Sequence, residues 1–165
     1  MLLPHKGFRR ASKSFAAPEA GAVYRRAREL CQQVGETPQL FPVLRGLYVF
    51  YAARAEYQTA RGLAKQLLTL AQRVQDPALL LGAHFALGQT LYCLGELTFA
   101  REHLEQGIAL YDPQQYRSLA WAGGHPAVSC LSFVALALWA LGYPDQALKR
   151  NQEALTVAQE LSHPY

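Results

Sequence analysis

Three alanines in repeating surroundings constrain this chain more than any other feature. Ala60, Ala100 and Ala147 stand 40 and 47 residues apart, each near the start of a helix-like segment. Five residues before them lie Ala55, Gly95 and Gly142, small residues where one helix must end and the chain turn back. Glycine suits that place because it takes left-handed dihedrals without a side-chain clash. Nine before lie Tyr51, Leu91 and Leu138; thirteen before, Leu47, Leu87 and Val134; eight after, Leu68, Ile108 and Leu155. The position twelve before holds Tyr48, Gly88 and Ala135, small in two of three. Units of this kind bury their apolar faces on one another, so the register predicts a stack of similar elements.

The elements are helices. Between turn signals the apolar residues recur at three and four, as in Leu63, Leu67, Leu70 with Val74, and Leu87, Leu91 with Leu94. Prolines punctuate the chain at Thr37-Pro38, Asp76-Pro77, Asp112-Pro113, His125-Pro126 and His163-Pro164. Thr37 and Asp76 are suited to cap the helix that follows, and proline at the next position gives up only an unpaired donor. The pattern predicts an all-α fold of about seven helices, at 19–34, 39–53, 57–74, 77–94, 97–111, 127–141 and 144–161. Val49 to Tyr51 is β-prone, but the helical spacing of Leu44, Leu47 and Tyr51 outvotes it. Short links make sequential helices antiparallel partners. The expected organisation is a flexible basic tail at 1–18 and one repeat domain at 19–165, with a lone helix 19–34 and hairpins 39–74, 77–111 and 127–161.

The repeated positions resemble the tetratricopeptide repeat. The middle copy matches best, through Leu87-Gly88, Leu91, Gly95-Glu96-Leu97 and Ala100. The spacing is longer than that family's usual repeat of about 34 residues, and Asp112 to His125, with Tyr116, Trp121 and Gly123-Gly124, inflates the second interval. The resemblance implies a right-handed superhelix, an α-solenoid whose concave wall is lined by the first helix of each pair. Arg45 and Val49, then Phe85, Gln89 and Tyr92, then Ser132, Leu136 and Trp139 hold the matching inward positions. Aromatic, Arg and Gln side chains suit capture of a protein or peptide partner, rings serving as anchors and polar groups fixing register. Phe85, Tyr92 and Trp139 have a second possible destination, the packing between consecutive hairpins. Arg45 is the firmest choice, since an unpaired buried guanidinium is costly.

A narrower likeness covers roughly residue 17 to the end. The strings from Glu102 to Tyr111, Leu138 to Ala147 and Ala158 to Pro164 are similar to the helical-repeat region behind the ATPase module of large bacterial adenylate or guanylate cyclase signalling proteins. Nothing in the chain supplies the ATPase or cyclase parts. The likeness therefore implies an interaction module in signalling, a ligand-sensing regulatory domain, or a truncated fragment of such a regulator.

Signals for chemistry are absent. No phosphate-binding string follows Gly123-Gly124. His5, His84, His103, His125 and His163 are scattered, and His103 beside Glu102 and Glu105 reads as a solvated face, so no metal or other cofactor is expected. Neither a nucleophile elbow nor a catalytic cysteine signature occurs, and a non-enzyme is expected. Cys31, Cys93 and Cys130 are too few and too widely spaced for a disulfide framework, which suits a reducing, cytoplasmic setting. A formal charge of +4, from 16 Lys and Arg against 12 Asp and Glu, is weak for a nucleic-acid binder. The longest apolar run, Val128 to Leu141, is shorter than the roughly 20 residues that span a bilayer, so no membrane partner is expected. Lys6, Arg9, Arg10 and Lys13 precede any acid, as in a targeting peptide, but Pro4, Gly7 and Pro18 favour a solvated tail.

Repeat arrays need polar caps. Val23, Ala27, Leu30 and Val34 share one face of the first helix, and Ser162 to Tyr165 resembles the opening of another repeat. Apolar end faces predict either self-association or cover by further repeats.

Overall fold

The computed structural model describes residues 17–34, 40–113 and 124–161, without the side chains of residues 20 and 31–34. Among them the fold is all-α, with seven helices and no strand: α1 Pro18–Val34, α2 Leu40–Ala53, α3 Tyr57–Val74, α4 Pro77–Cys93, α5 Leu97–Ala109, α6 Pro126–Ala140 and α7 Pro144–Glu160. The expected ranges shift by one or two residues at their ends. Outside the described residues lie the tail through residue 16, the Thr37 cap, Tyr116 and Trp121, and Ser162 to Tyr165, as do the side chains of Cys31 and Val34.

Asp76 caps α4 as its sequence context predicts, its carboxylate accepting from the N–H groups of Ala78 and Leu79 at 2.8 and 3.2 Å. His125 does the same for α6, where Nδ1 accepts from Ala127 N–H at 3.3 Å. The three turns are built alike. Glu56 N–H donates to Tyr51 O, Glu96 to Leu91 O and Tyr143 to Leu138 O, each at 2.9 Å. One residue earlier, Ala55, Gly95 and Gly142 donate to Ala52, Tyr92 and Trp139 carbonyls, with φ of 58°, 79° and 87°. This double closure of a helix end around a left-handed residue explains the small side chains at all three places.

The turns fold α2 on α3, α4 on α5 and α6 on α7, and the hairpins then pack in chain order. α1 lies on α2, with Tyr24 against Gly46 and Phe50 against Gly21. One core joins α2, α3 and α4 through Leu47, Leu67, Leu87 and Leu91; a second joins α4, α5 and α6 through Leu81, Leu104, Cys130 and Val134. Each buried leucine contributes about 1.5–3 kcal/mol. α4 is apolar nearly all round because it touches α3, α5 and α6. Gly88 lets α5 approach closely, since a Cβ there would fall 2.5 Å from Leu104 Cγ. Between the first two hairpins, the Arg61 guanidinium grips both carboxylate oxygens of Glu96 at 2.7 and 3.2 Å. No described helix is long and apolar enough to cross a membrane.

Candidate functional groove

The first helices of the hairpins, α2, α4 and the beginning of α6, enclose a groove of about 280 Å³. Its walls include Arg45 and Val49 from α2 and Phe85 and Gln89 from α4, four of the eight residues that the repeat register points inward. These come together because they recur at four-residue steps along neighbouring helices, on the side facing away from α3 and α5.

Polar groups line part of an apolar trough. Tyr48 Oη donates to Gln89 Oε1 at 2.6 Å, joining the first hairpin to the second beneath the groove. Burial pushes the Tyr48 phenol well above its ordinary pKa, so it remains a donor at neutral pH. The Thr90 hydroxyl turns back to Ala86 O at 2.8 Å. Burial lowers the Arg45 pKa while Tyr24 opposes that shift, yet a guanidinium starts so high that it stays charged. Among the described lining residues Arg45 is the one charged side chain, and none is acidic. Tyr57 and Cys93 meet at the rim, and the cysteine raises the Tyr57 phenol.

The other four inward candidates lie elsewhere. Tyr92 stands edge-on to Phe133 of α6, ring centroids 5.5 Å apart, and so belongs to the packing between hairpins. Phe85 serves both places, since its ring also lies 6.0 Å from Phe133. The Ser132 hydroxyl donates to Val128 O at 2.9 Å within its own helix. Leu136 and Trp139, farther along α6, are exposed and outside the groove lining. α6 reaches the groove through Pro126 and Ser129 instead, one turn earlier.

Tyr48, Thr90, Cys93 and Ser129 escaped the sequence reading. For Tyr48 a signal existed: it is the large residue where the other two repeats carry Gly88 and Ala135. Its hydroxyl reaches Gln89 on α4, whereas Gly88 lies against Leu104 of α5, the partner helix of its own hairpin.

Among the described residues no group of three or more His, Cys, Asp and Glu is placed to hold a metal ion. The histidines are nonetheless less scattered than their spacing suggests. His84 Nδ1 and His103 Nδ1 are 3.2 Å apart across the α4–α5 contact, so His103 lies against another helix and is not wholly on a solvated face. Burial, then the neighbouring His103, lowers the His84 pKa to about 4. Burial also lowers that of His103, against the pull of Glu102. Glu105 is held by Arg101 at 3.0 Å.

No protein-family model matches this chain, and no curated protein matches its sequence.

Proposed function

We propose that this chain is a non-catalytic interaction module of the tetratricopeptide type, a right-handed superhelical array that takes a peptide or partner helix in its concave groove. The observation that carries this reading is the meeting of Arg45, Val49, Phe85 and Gln89 around one trough, each from a matching face of a first helix. An apolar floor with a few fixed polar groups suits an extended or helical segment whose side chains enter in turn. The likeness to cyclase-linked repeat regions favours a regulatory, signalling setting.

Selection of displayed peptides on the full chain tests the reading, with Val49→Glu as the counter-screen. Val49 is half-buried on the groove wall, and a carboxylate there opposes an apolar occupant. Enriched peptides should bind the wild-type chain and lose about tenfold or more in affinity with the variant, equivalent to about 1.4 kcal/mol. Failure to enrich any binder, or equal binding to both proteins, would rule the groove out.

A second reading is ligand sensing. A volume near 280 Å³ is at the small end of pockets that enclose small molecules, so a compact ligand is favoured over a large one. A thermal-shift screen of small metabolites on the same two proteins separates the readings.

A further inference from the structure

The central hairpin differs from the first where its two helices meet. At one pair of register positions α2 and α3 carry Leu44 and Leu63, both buried in the same core cluster. At the equivalent pair α4 and α5 carry His84 and His103. Burying imidazoles gives up hydration that leucines do not have, so packing alone does not call for histidine at both places. The rings meet edge to edge. Their centroids are 5.4 Å apart, their planes are inclined by 35°, and the two Nδ1 atoms are separated by 3.2 Å. Two nitrogens that each lie about 2.0–2.1 Å from a zinc ion, at the tetrahedral angle, are about 3.3 Å apart. Two at the right angle of a square-planar or octahedral site are only about 2.9 Å apart. The observed separation is nearer the tetrahedral value.

We propose that His84 and His103 form a zinc site, a two-histidine clip across α4 and α5 that takes a tetrahedral divalent ion through both Nδ1 atoms, with water in the remaining positions. Neutral imidazole is the form that ligates zinc. Burial lowers both histidine pKa values, so both rings are neutral at pH 7 and little proton competition opposes the ion. In the neutral pair one ring gives its Nδ1–H to the other. On binding, that proton passes to Nε2 of the same ring, and no net proton is lost. His84 is buried and His103 half-buried, which leaves the α5 side open for entry and for the water ligands. Glu102, which pulls the His103 pKa upward, adds negative charge near the ion. Arg101 and Arg150, the cations that flank Glu105, are engaged by it and by Glu153 at 3.0 and 2.7 Å. His84 is followed by Phe85 of the groove wall, so the ion fastens to α5 the helix that carries that wall.

The proposal is independent of the groove reading. Calorimetric titration of zinc chloride into the chelator-treated full chain tests it, with cobalt(II) absorption as a second readout. One ion per chain is expected, bound more weakly than in a four-ligand structural site, with a tetrahedral cobalt spectrum free of thiolate charge transfer. The double variant His84→Leu/His103→Leu, which imitates the first hairpin, should weaken zinc binding by about tenfold or more. His5→Ala should leave it unchanged. Zinc should raise the Tm of the wild-type chain and not that of the double variant. Four results overturn the proposal: no binding at millimolar zinc, equal binding by the double variant, an equal loss with His5→Ala, or a thiolate band in the cobalt spectrum. If the metal-free double variant melts early, His103→Gln replaces it under the same criteria, because it keeps a hydrogen-bonding group beside His84 and loses the imidazole.

Discussion

Leu104 in α5 and Asn151 in α7 stand at one position of the repeat and lead opposite lives. Leu104 is fully buried between α4 and α6, under Gly88 and against Cys130, while Asn151 is exposed. The same contrast separates Ile108 from Leu155 and Tyr92 from Trp139. In a stacked array, register decides which way a side chain points, and only the next unit decides whether water reaches it. A residue type is therefore informative in combination with its repeat number.

Exchanging the paired residues gives the largest expected effect. Leu104→Asn removes a buried leucine and places an amide without assured partners in an apolar cluster, so it should destabilise by about 3–5 kcal/mol. Asn151→Leu, measured at low concentration, should change stability by no more than about 0.5 kcal/mol. Urea midpoints of the two variants check both; similar losses would mean that the two hairpins are covered alike.

Acid should next distinguish the central hairpin. Where it has His84 and His103, the first hairpin has Leu44 and Leu63 and the third has Leu131 and Arg150. Both histidine pKa values are lowered by burial, so the unfolded chain takes up protons first as pH falls. Stability conferred by the neutral pair is complete above the unfolded value near 6.5, declines as pH drops from there toward 4, and levels off below. The loss should be of order 2 kcal/mol. The double variant His84→Leu/His103→Leu, which imitates the first hairpin, should flatten that part of the profile, since replacing both partners leaves no orphaned polar group. A slope unchanged in the double variant would assign the acid sensitivity to other groups.

The smallest effect concerns the turns. Ala55 occupies at φ 58° the place that Gly95 and Gly142 hold. Ala55→Gly should stabilise by about 0.5–1 kcal/mol by relieving the Cβ conflict of a left-handed alanine, partly offset by a freer unfolded chain. Thermal melts decide it, and a lower Tm would show that Ala55 is unstrained.

Much of the fold was legible because a helix announces itself locally. Asp76-Pro77 marks a cap, Gly95 and Gly142 mark turns, and leucines at three and four mark a buried face. The groove was half legible. Arg45, Val49, Phe85 and Gln89 follow from matching the register to the inward positions of the repeat that the chain resembles. Tyr92 did not reach the lining because Phe133, an aromatic at a site where the second repeat has Ala86, draws it into the contact between hairpins. α6 contributes Ser129 where the register pointed to Ser132, one turn later. The His84–His103 contact spans two helices and 19 residues, and no periodicity carries such a signal.

The three turns carry a consequence for how such a chain can lengthen. Every bond that closes them runs from main chain to main chain. A hairpin bent this way asks of its coding sequence only a short residue at one codon, so the bend survives drift nearly everywhere else. The joints between hairpins take up the difference in spacing: 2 residues separate α3 from α4 and 16 separate α5 from α6, more than the 7 by which the second interval exceeds the first. Duplication and insertion can work at those joints while the units themselves pass through unbroken, and the hairpin becomes the quantum of inheritance.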